Sequence, residues 1–190
     1  MNLSDLEEKK INSKEIYHGR ILDLYCDDVL LPDGNTAKRE YLRHLGAVCV
    51  VPVTKSGEVL LVEQFRYPFS AVLTEIPAGK LDSADEDPVD AAKRELWEET
   101  GAQCSDFVYL GAYYPTCAYS TEVIHMYLAR DIVPGTQHLD DDEFLAYKTM
   151  PMDTLISKIM NGEIKDGKTQ AAVLKAYYYL QTRNHDETVC

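Results

Sequence analysis

Cationic side chains are scarce in this sequence: 19 Lys and Arg stand against 32 Asp and Glu, a net charge of −13 over 190 residues. That balance disfavours nucleic-acid backbones and anionic membranes, so neither is expected as a partner. An anionic small molecule could be held only where a cation is supplied locally. The cysteines (Cys26, Cys49, Cys104, Cys117 and Cys190) are odd in number and include no C-x-x-C pair. Neither a disulfide framework nor a zinc site is indicated, and the five histidines (18, 44, 125, 138 and 185) show no zinc spacing. No apolar run reaches membrane-spanning length, and MNLSDLEEKKINSKEI is too charged for a signal peptide, so a cytoplasmic protein is expected. Internal repeats, low-complexity segments and G-x-S-x-G are missing as well. The acidic run DSADED lacks the Asp spacing and the glycine of a calcium-binding EF-hand loop.

What is there is enough for a globular protein. The chain is 45% hydrophobic, and its length suits one domain with a real core, or one domain plus a small appendage. Residues 15–31 and 36–44 read as strands around LPDGN, whose Asp-Gly is a hairpin signal. AVCVVPVT (47–54) and EVLLVEQF (58–65) read as adjoining strands, and AVLTEIPAGK (71–80) as a strand running into a loop. Further strands are expected near 106–115, 123–132 and 144–150, with helices near 152–161 and 168–183 and a loose tail from Asn184. A mixed sheet with helices on its faces, α/β or α+β, is the implied fold class.

One helix is unusually well punctuated. Asp87 is an N-cap, Pro88 occupies the first helical position, Asp90 adds charge to the first turn and Gly101 is the C-cap. Val89, Ala92, Leu96 and Thr100 form its buried stripe. Beside that stripe, RELWEETG (Arg94 to Gly101) places Glu95, Glu98 and Glu99 within an arc of about 100°. Like-charged pairs at these spacings destabilise a helix by roughly 0.2–0.5 kcal/mol each, so a compensating charge is required. A hard divalent cation such as Mg²⁺ takes oxygen ligands and commonly sits between carboxylates and substrate phosphates. Such an ion would answer the repulsion and would also provide the positive charge that an acidic protein needs to hold a phosphate. For three glutamates alone, a solvated acidic face is the simpler reading.

The surrounding residues change that balance. GKLDSADEDPVDAAKRELWEETGA resembles the Nudix box: G, five residues, E, seven residues, then R-E-apolar-x-E-E-x-G-apolar. From Glu86 onward the match is complete, through Arg94, Glu95, Leu96, Glu98, Glu99, Gly101 and Ala102. Gly79 stands seven residues before Glu86 instead of six, so Glu86 rather than Asp85 is taken as the box glutamate and LDSAD as a lengthened loop. Beyond the box, VEQFRYP, EIPAGK, KREYLRH and LDDDEF resemble one branch of the superfamily, the ADP-ribose pyrophosphatases and related nucleoside-diphosphate-sugar hydrolases, over residues 15–182.

The resemblance implies a Nudix α/β/α sandwich with a mixed sheet (46–183), an N-terminal antiparallel β-module (1–45) used for dimerisation and substrate contact, and a flexible tail (184–190). It implies metal-dependent hydrolysis of a nucleoside diphosphate derivative, ADP-ribose to AMP and ribose 5-phosphate first, with a nucleotide sugar such as GDP-mannose, or a non-catalytic ADP-ribose sensor, as alternatives. Glu95 and Glu99 would be the principal ligands of Mg²⁺ or Mn²⁺, with Glu98, the Ala78 carbonyl and Glu143 contributing. Arg94 would orient the glutamates, and Glu98, Asp141 or Glu143 would act on the attacking water. Glu40, Arg66, Lys80 and Glu122 would contact the nucleotide, some of them across a homodimer interface. YPTCAYSTE carries Cys117 and Ala118 where the branch has Pro-Gly, and Arg39 stands where an adenine-stacking aromatic would be sought.

Overall fold

The computed structural model describes residues 3–140 and 143–186, and the chain divides into two compact units, Met1–Leu45 with Thr116–Val123, and Gly46–Pro115 with Ile124–Cys190. In the first unit, β1 (Lys9–His18), β2 (Asp23–Leu30) and β3 (Thr36–Arg43) form an antiparallel meander. The single strand expected over 15–31 is therefore two strands. The chain reverses after β1, where the Gly19 N–H donates to the Leu22 carbonyl at 2.9 Å. β1 escaped the sequence pattern because all ten of its residues are exposed, so no apolar alternation marks it. The β2–β3 hairpin closes at LPDGN, where Gly34 has φ 84° and the Leu31 N–H donates to the Asn35 carbonyl at 2.8 Å. Thr116–Val123 joins this unit through Leu42, whose N–H donates to the Tyr119 carbonyl and whose carbonyl accepts from the Thr121 N–H, each at 2.9 Å.

The second unit contains β4 (Ala47–Thr54), β5 (Glu58–Arg66), β6 (Ala71–Glu75), β7 (Ala78–Lys80), α1 (Pro88–Thr100), β8 (Phe107–Tyr113), β9 (Ile124–Ile132), β10 (Leu145–Pro151), α2 (Met152–Met160) and α3 (Gly167–Asp186). Its sheet runs β10-β5-β4-β9-β8, with β6 added to β5 and β7 to β4. β4 and β9 are parallel and the other pairs antiparallel, so the sheet is mixed. Residues 78–80, expected as loop, thus form a short strand. Pro77 has no N–H to give to a ladder, and the chain changes partner there from β5 to β4.

β4 explains the layering. Residues 47–53 are all buried, as a strand covered on both faces must be. Ala47, Cys49, Val51 and Val53 point into a core shared with Leu155, Ile159, Ala172, Val173 and Ala176 of α2 and α3. Val48 and Val50 point the other way, into a core with Ala91, Ala92 and Leu96 of α1. The two-residue alternation of one strand therefore builds both halves of a three-layer α/β/α sandwich. α3 runs to Asp186, past the expected end at 183; residues 187–190 lie outside the described part of the chain. Among the described residues, no helix is long and apolar enough to cross a membrane.

Candidate active site

α1 starts and stops where its punctuation places it. The Asp87 carboxylate accepts the Val89 N–H at 3.0 Å, Pro88 is the first helical residue, and Gly101 closes the helix at φ 66° with its N–H on the Trp97 carbonyl. Its buried face differs in detail from the expected stripe. Ala91 belongs to it, Val89 is only partly covered, and Glu99 is 5% exposed, inside the layer rather than beside it.

Arg94 organises the carboxylates. Its Nη1 donates to Glu95 at 2.7 Å and to Glu98 at 3.1 Å, its Nε to Glu86 at 3.2 Å, and its Nη2 to the Lys80 carbonyl at 3.1 Å. Asp82 stands 3.4 Å from the same guanidinium. Glu86 also accepts the Asp82 N–H at 2.6 Å, which closes the lengthened loop on itself. Asp85 is exposed, so it is Glu86 that joins the cluster. The Glu99 carboxylate accepts the Ala78 N–H at 3.2 Å, setting the backbone of β7 against the helix. Gly79 is the other point of close approach. A Cβ built there would lie 2.0 Å from a carboxylate oxygen of Glu95, so the glycine leaves the space that this carboxylate occupies.

The electrostatics follow from burial and crowding. Burial pushes the Glu95 carboxyl up to about 7 against the pull of Arg94, with Glu98 and Glu143 adding to the rise. Glu99 is raised too, first by burial and then by Glu95 and Glu143. Arg94 remains a firm cation, because Glu86 and Glu95 outweigh its burial. Glu86 is lowered, first by the Asp82 N–H. Two buried carboxylates that resist ionisation, beside others already sharing one guanidinium, form an oxygen-rich set short of positive charge. In type and burial the donors fit a hard divalent cation. Among the described residues no three His, Cys, Asp or Glu side chains form a closed ligand group; Glu95 and Glu98 are turned onto Arg94.

Residues 135–138, ahead of Glu143 in the chain, are fastened to the C-terminal end of α1. The Gly135 N–H donates to the Thr100 carbonyl, the Gln137 side-chain amide to that of Glu99, and the His138 N–H to that of Glu98, at 2.9, 2.7 and 2.7 Å. Carbonyls that a helix end leaves without intrahelical partners are thereby satisfied. The His138 ring stacks on Trp97 with centroids 3.9 Å apart. Glu143 is half-buried, and its charge is felt by both Glu95 and Glu99. Asp141, the other candidate on this segment, lies outside the described residues.

Of the other residues expected from sequence, Arg66 is engaged by Glu75 through two 2.8 Å bonds, and the Lys80 side chain is exposed while its carbonyl serves Arg94. Glu40 and Glu122 belong to the N-terminal unit, Glu40 on the exposed part of β3 and Glu122 4.0 Å from His44. Arg39 is paired with Glu8 in the same unit. Sequence reasoning missed a buried group around Glu75, made by Arg66, Lys168 and Asp166; a lysine and an aspartate flanking a glycine at a helix start were its only local signal.

Comparison with known proteins places these residues in context. The NUDIX domain model matches residues 42–172, and the nucleoside diphosphate sugar hydrolase N-terminal domain matches residues 8–42. An ADP-ribose pyrophosphatase of Bacillus subtilis is 37% identical over 95% of this chain and 96% of its own length. A methanol dehydrogenase activator of Bacillus methanolicus is 40% identical over 88% and 91%. A GDP-mannose pyrophosphatase of Yersinia enterocolitica is 33% identical over 78% and 83%. The crystal structure of an ADP compounds hydrolase superposes with a TM-score of 0.83 over 94% of this chain and 97% of that one, at 19% identity, which speaks for the fold. With its box residues gathered around Arg94 and the NUDIX domain model matching more than half of its length, the chain belongs to the Nudix hydrolase family.

Proposed function

We propose that this protein hydrolyses the pyrophosphate linkage of a nucleoside diphosphate derivative, ADP-ribose to AMP and ribose 5-phosphate being the leading case, with Mg²⁺ as its working ion. The observation that carries the reading is the carboxylate group of α1 held by Arg94, in a chain that aligns nearly end to end with an ADP-ribose pyrophosphatase. Glu95, Glu99 and the Ala78 carbonyl would hold the ion, with Glu98 and Glu143 beside them. When bound, it supplies charge neutralisation for the phosphates and polarises the phosphorus under attack. Arg94 keeps Glu95 and Glu98 in place. One carboxylate of Glu98, Asp141 and Glu143 takes the proton of the attacking water, whose oxygen joins phosphorus as the bridging P–O bond breaks. GDP-mannose is the second substrate reading, favoured by the pyrophosphatases that share about a third of their residues with this chain. A pure sensor would have no need of Glu86, Glu95, Glu98 and Glu99 together, and this argues for catalysis. A phosphatase-coupled phosphate assay over ADP-ribose, GDP-mannose, UDP-glucose, diadenosine polyphosphates and NADH, with and without Mg²⁺, tests both. No turnover of any of them would overturn the proposal.

Arg66, Lys80, Glu40 and Glu122 are proposed to contact the nucleotide. Arg66→Ala is expected to raise KM more than it lowers kcat, because a contact remote from the scissile bond gives mostly uniform binding. It should also lower Tm, since it removes one cation from the buried Glu75. A large fall in kcat at unchanged KM would place Arg66 at the phosphates in the transition state.

The pH dependence has a definite sign. Folding raises Glu95 to about 7 and raises Glu99 as well, so both favour the folded state at low pH; the Glu95 contribution is complete below about pH 4.5 and is lost as pH rises through about 7. A divalent ion must displace protons held in that window, so its stabilising increment should grow with pH. Thermal melts from pH 5 to 8, with EDTA and with Mg²⁺, check this; an increment that shrinks with pH would contradict it.

A homodimer and a cytoplasmic setting belong to the same reading. Ile11, Ile16 and Tyr17 of β1 are exposed in one unit, and Phe65, Tyr67, Phe69 and Val72 of the β5–β6 hairpin in the other, apolar surface that a second copy could cover. Sedimentation equilibrium decides the first. The unpaired thiols of Cys26, Cys49, Cys104 and Cys117 suit a reducing compartment.

A further inference from the structure

Between β6 and β7 the chain crosses from one neighbour to another through Ile76 and Pro77. The Ile76 N–H donates instead to Thr169 Oγ1 at 3.0 Å, a fully buried hydroxyl in the first turn of α3, 93 residues later. Thr169 is itself fixed by Asp166, which accepts its N–H at 2.9 Å and its hydroxyl at 2.6 Å. One residue earlier in the crossing, the carboxylate of Glu75 is 2% exposed and takes both arms of Arg66 and the ammonium of Lys168. Lys168 also stands 3.1 Å from Asp166. The far side of the crossing is equally pinned. The Pro77 carbonyl accepts the Val50 N–H at 2.9 Å, and the Ala78 N–H donates to Glu99.

α3 therefore holds one end of a four-residue segment whose other end touches Glu99. Proline at position 77 fixes one of the few backbone torsions between those ends, which leaves less slack between Ile76 and Ala78. Stability alone is a weak reason for the arrangement. Replacing buried ion pairs by apolar side chains of similar volume is often neutral or stabilising, whereas fixed hydrogen-bond geometry is what an ionic cluster adds.

We propose that Lys168 and Thr169, at the start of α3, are positioning residues that hold the Glu75–Ala78 crossing so that the Ala78 backbone and Glu99 keep the geometry a divalent ion needs. The proposal rests on the reading of Glu95 and Glu99 as its ligands. Partners that orient metal ligands typically change metal affinity by about 10–100-fold when removed. Thr169→Val, which keeps the shape but takes away the acceptor for the Ile76 N–H, should weaken binding by at least about tenfold, and Thr169→Ser should restore it. Lys168→Met should act like Thr169→Val, and Lys168→Arg should be closer to the unaltered protein.

The chain has one tryptophan, Trp97, and it lies on α1 between Glu95 and Glu98, so its fluorescence reports Mn²⁺ binding without substrate. The experiment is an Mn²⁺ titration of each variant, with melts in EDTA to establish folding and with kcat and KM for ADP-ribose at fixed Mn²⁺. The expected result for Thr169→Val is a raised Mn²⁺ dissociation constant and a lowered kcat at limiting metal, with KM within about twofold. Should that variant fail to melt cooperatively, Lys168→Met carries the same comparison. Glu99→Gln separates the two readings. If it abolishes the titration while folded Thr169→Val and Lys168→Met bind Mn²⁺ as the unaltered protein does, the clamp is only structural and the inference falls. If Glu99→Gln itself binds normally, the metal site has been placed wrongly.

Discussion

Glu99→Gln is expected to lower kcat by at least about 10²-fold with the fold intact. The amide keeps the shape of the side chain and can still accept the Ala78 N–H through its oxygen. What disappears is a negative charge in a buried position, beside Glu95 and within the field of Glu143. Without metal that charge is a liability, because burial and like-charge repulsion both oppose it; with metal it is a ligand. The same substitution should therefore raise Tm in EDTA while it removes activity, a pairing that a misfolded variant would not produce. Turnover at saturating Mg²⁺ and melts in EDTA measure both. Near-normal turnover would take Glu99 out of the machinery. Glu95→Gln should behave alike, and Arg94→Ala should lose activity by releasing Glu86, Glu95 and Glu98 together.

Gly79→Ala is expected to act on the same site from the other side. The new methyl would meet the Glu95 carboxylate at 2.0–2.3 Å, inside any tolerable contact. The backbone of β7 is paired to β4, Val48 opposite Gly79, so the glutamate side chain has to yield. It would leave the 2.7 Å contact with Arg94 and the place from which it can bind metal. A misplacement of about 1 Å can reduce rate by about 10²-fold, and a fall of 10–10² in kcat follows for this variant. Because the obstacle is the end of a flexible side chain, Tm in EDTA should move by only a few degrees. An active Gly79→Ala enzyme would show that Glu95 works from another position.

Much of this site was readable in the sequence because its signals are local. Asp87, Pro88 and Gly101 mark the bounds of α1 with chemistry confined to its own ends, and the seven-residue gap between Glu86 and Arg94 survives a longer loop before it. The layers of the sandwich follow from the alternation of β4 against two different sets of helices. Other features depend on contacts that no local pattern encodes. The β1 strand is exposed throughout, and its few apolar residues, Ile11, Ile16 and Tyr17, do not alternate with polar ones, so hydrophobic periodicity has nothing to register there. The burial of Glu99 and the closeness of Gly79 to Glu95 arise where β7 lies against α1, and β7 itself hides behind Pro77. The pairing of Glu75 with Lys168 joins residues 93 positions apart, which only the folded sheet and α3 bring together.

The central claim is that the crowded glutamates of α1 exist to hold a divalent ion, and it is tested most directly by melting two proteins under two conditions. Binding to the native state alone adds RT ln(1 + [L]/Kd), about 2.7 kcal/mol at a hundredfold excess over Kd. For a domain of this size that corresponds to a rise of about 5–10 °C. The unaltered protein should show that rise between EDTA and millimolar Mg²⁺. Glu95→Gln/Glu99→Gln should start from a slightly higher Tm in EDTA, because the buried charges are gone, and should show no rise at all. If the double variant keeps the full Mg²⁺ increment, the ion binds elsewhere and the glutamates of α1 are not its ligands.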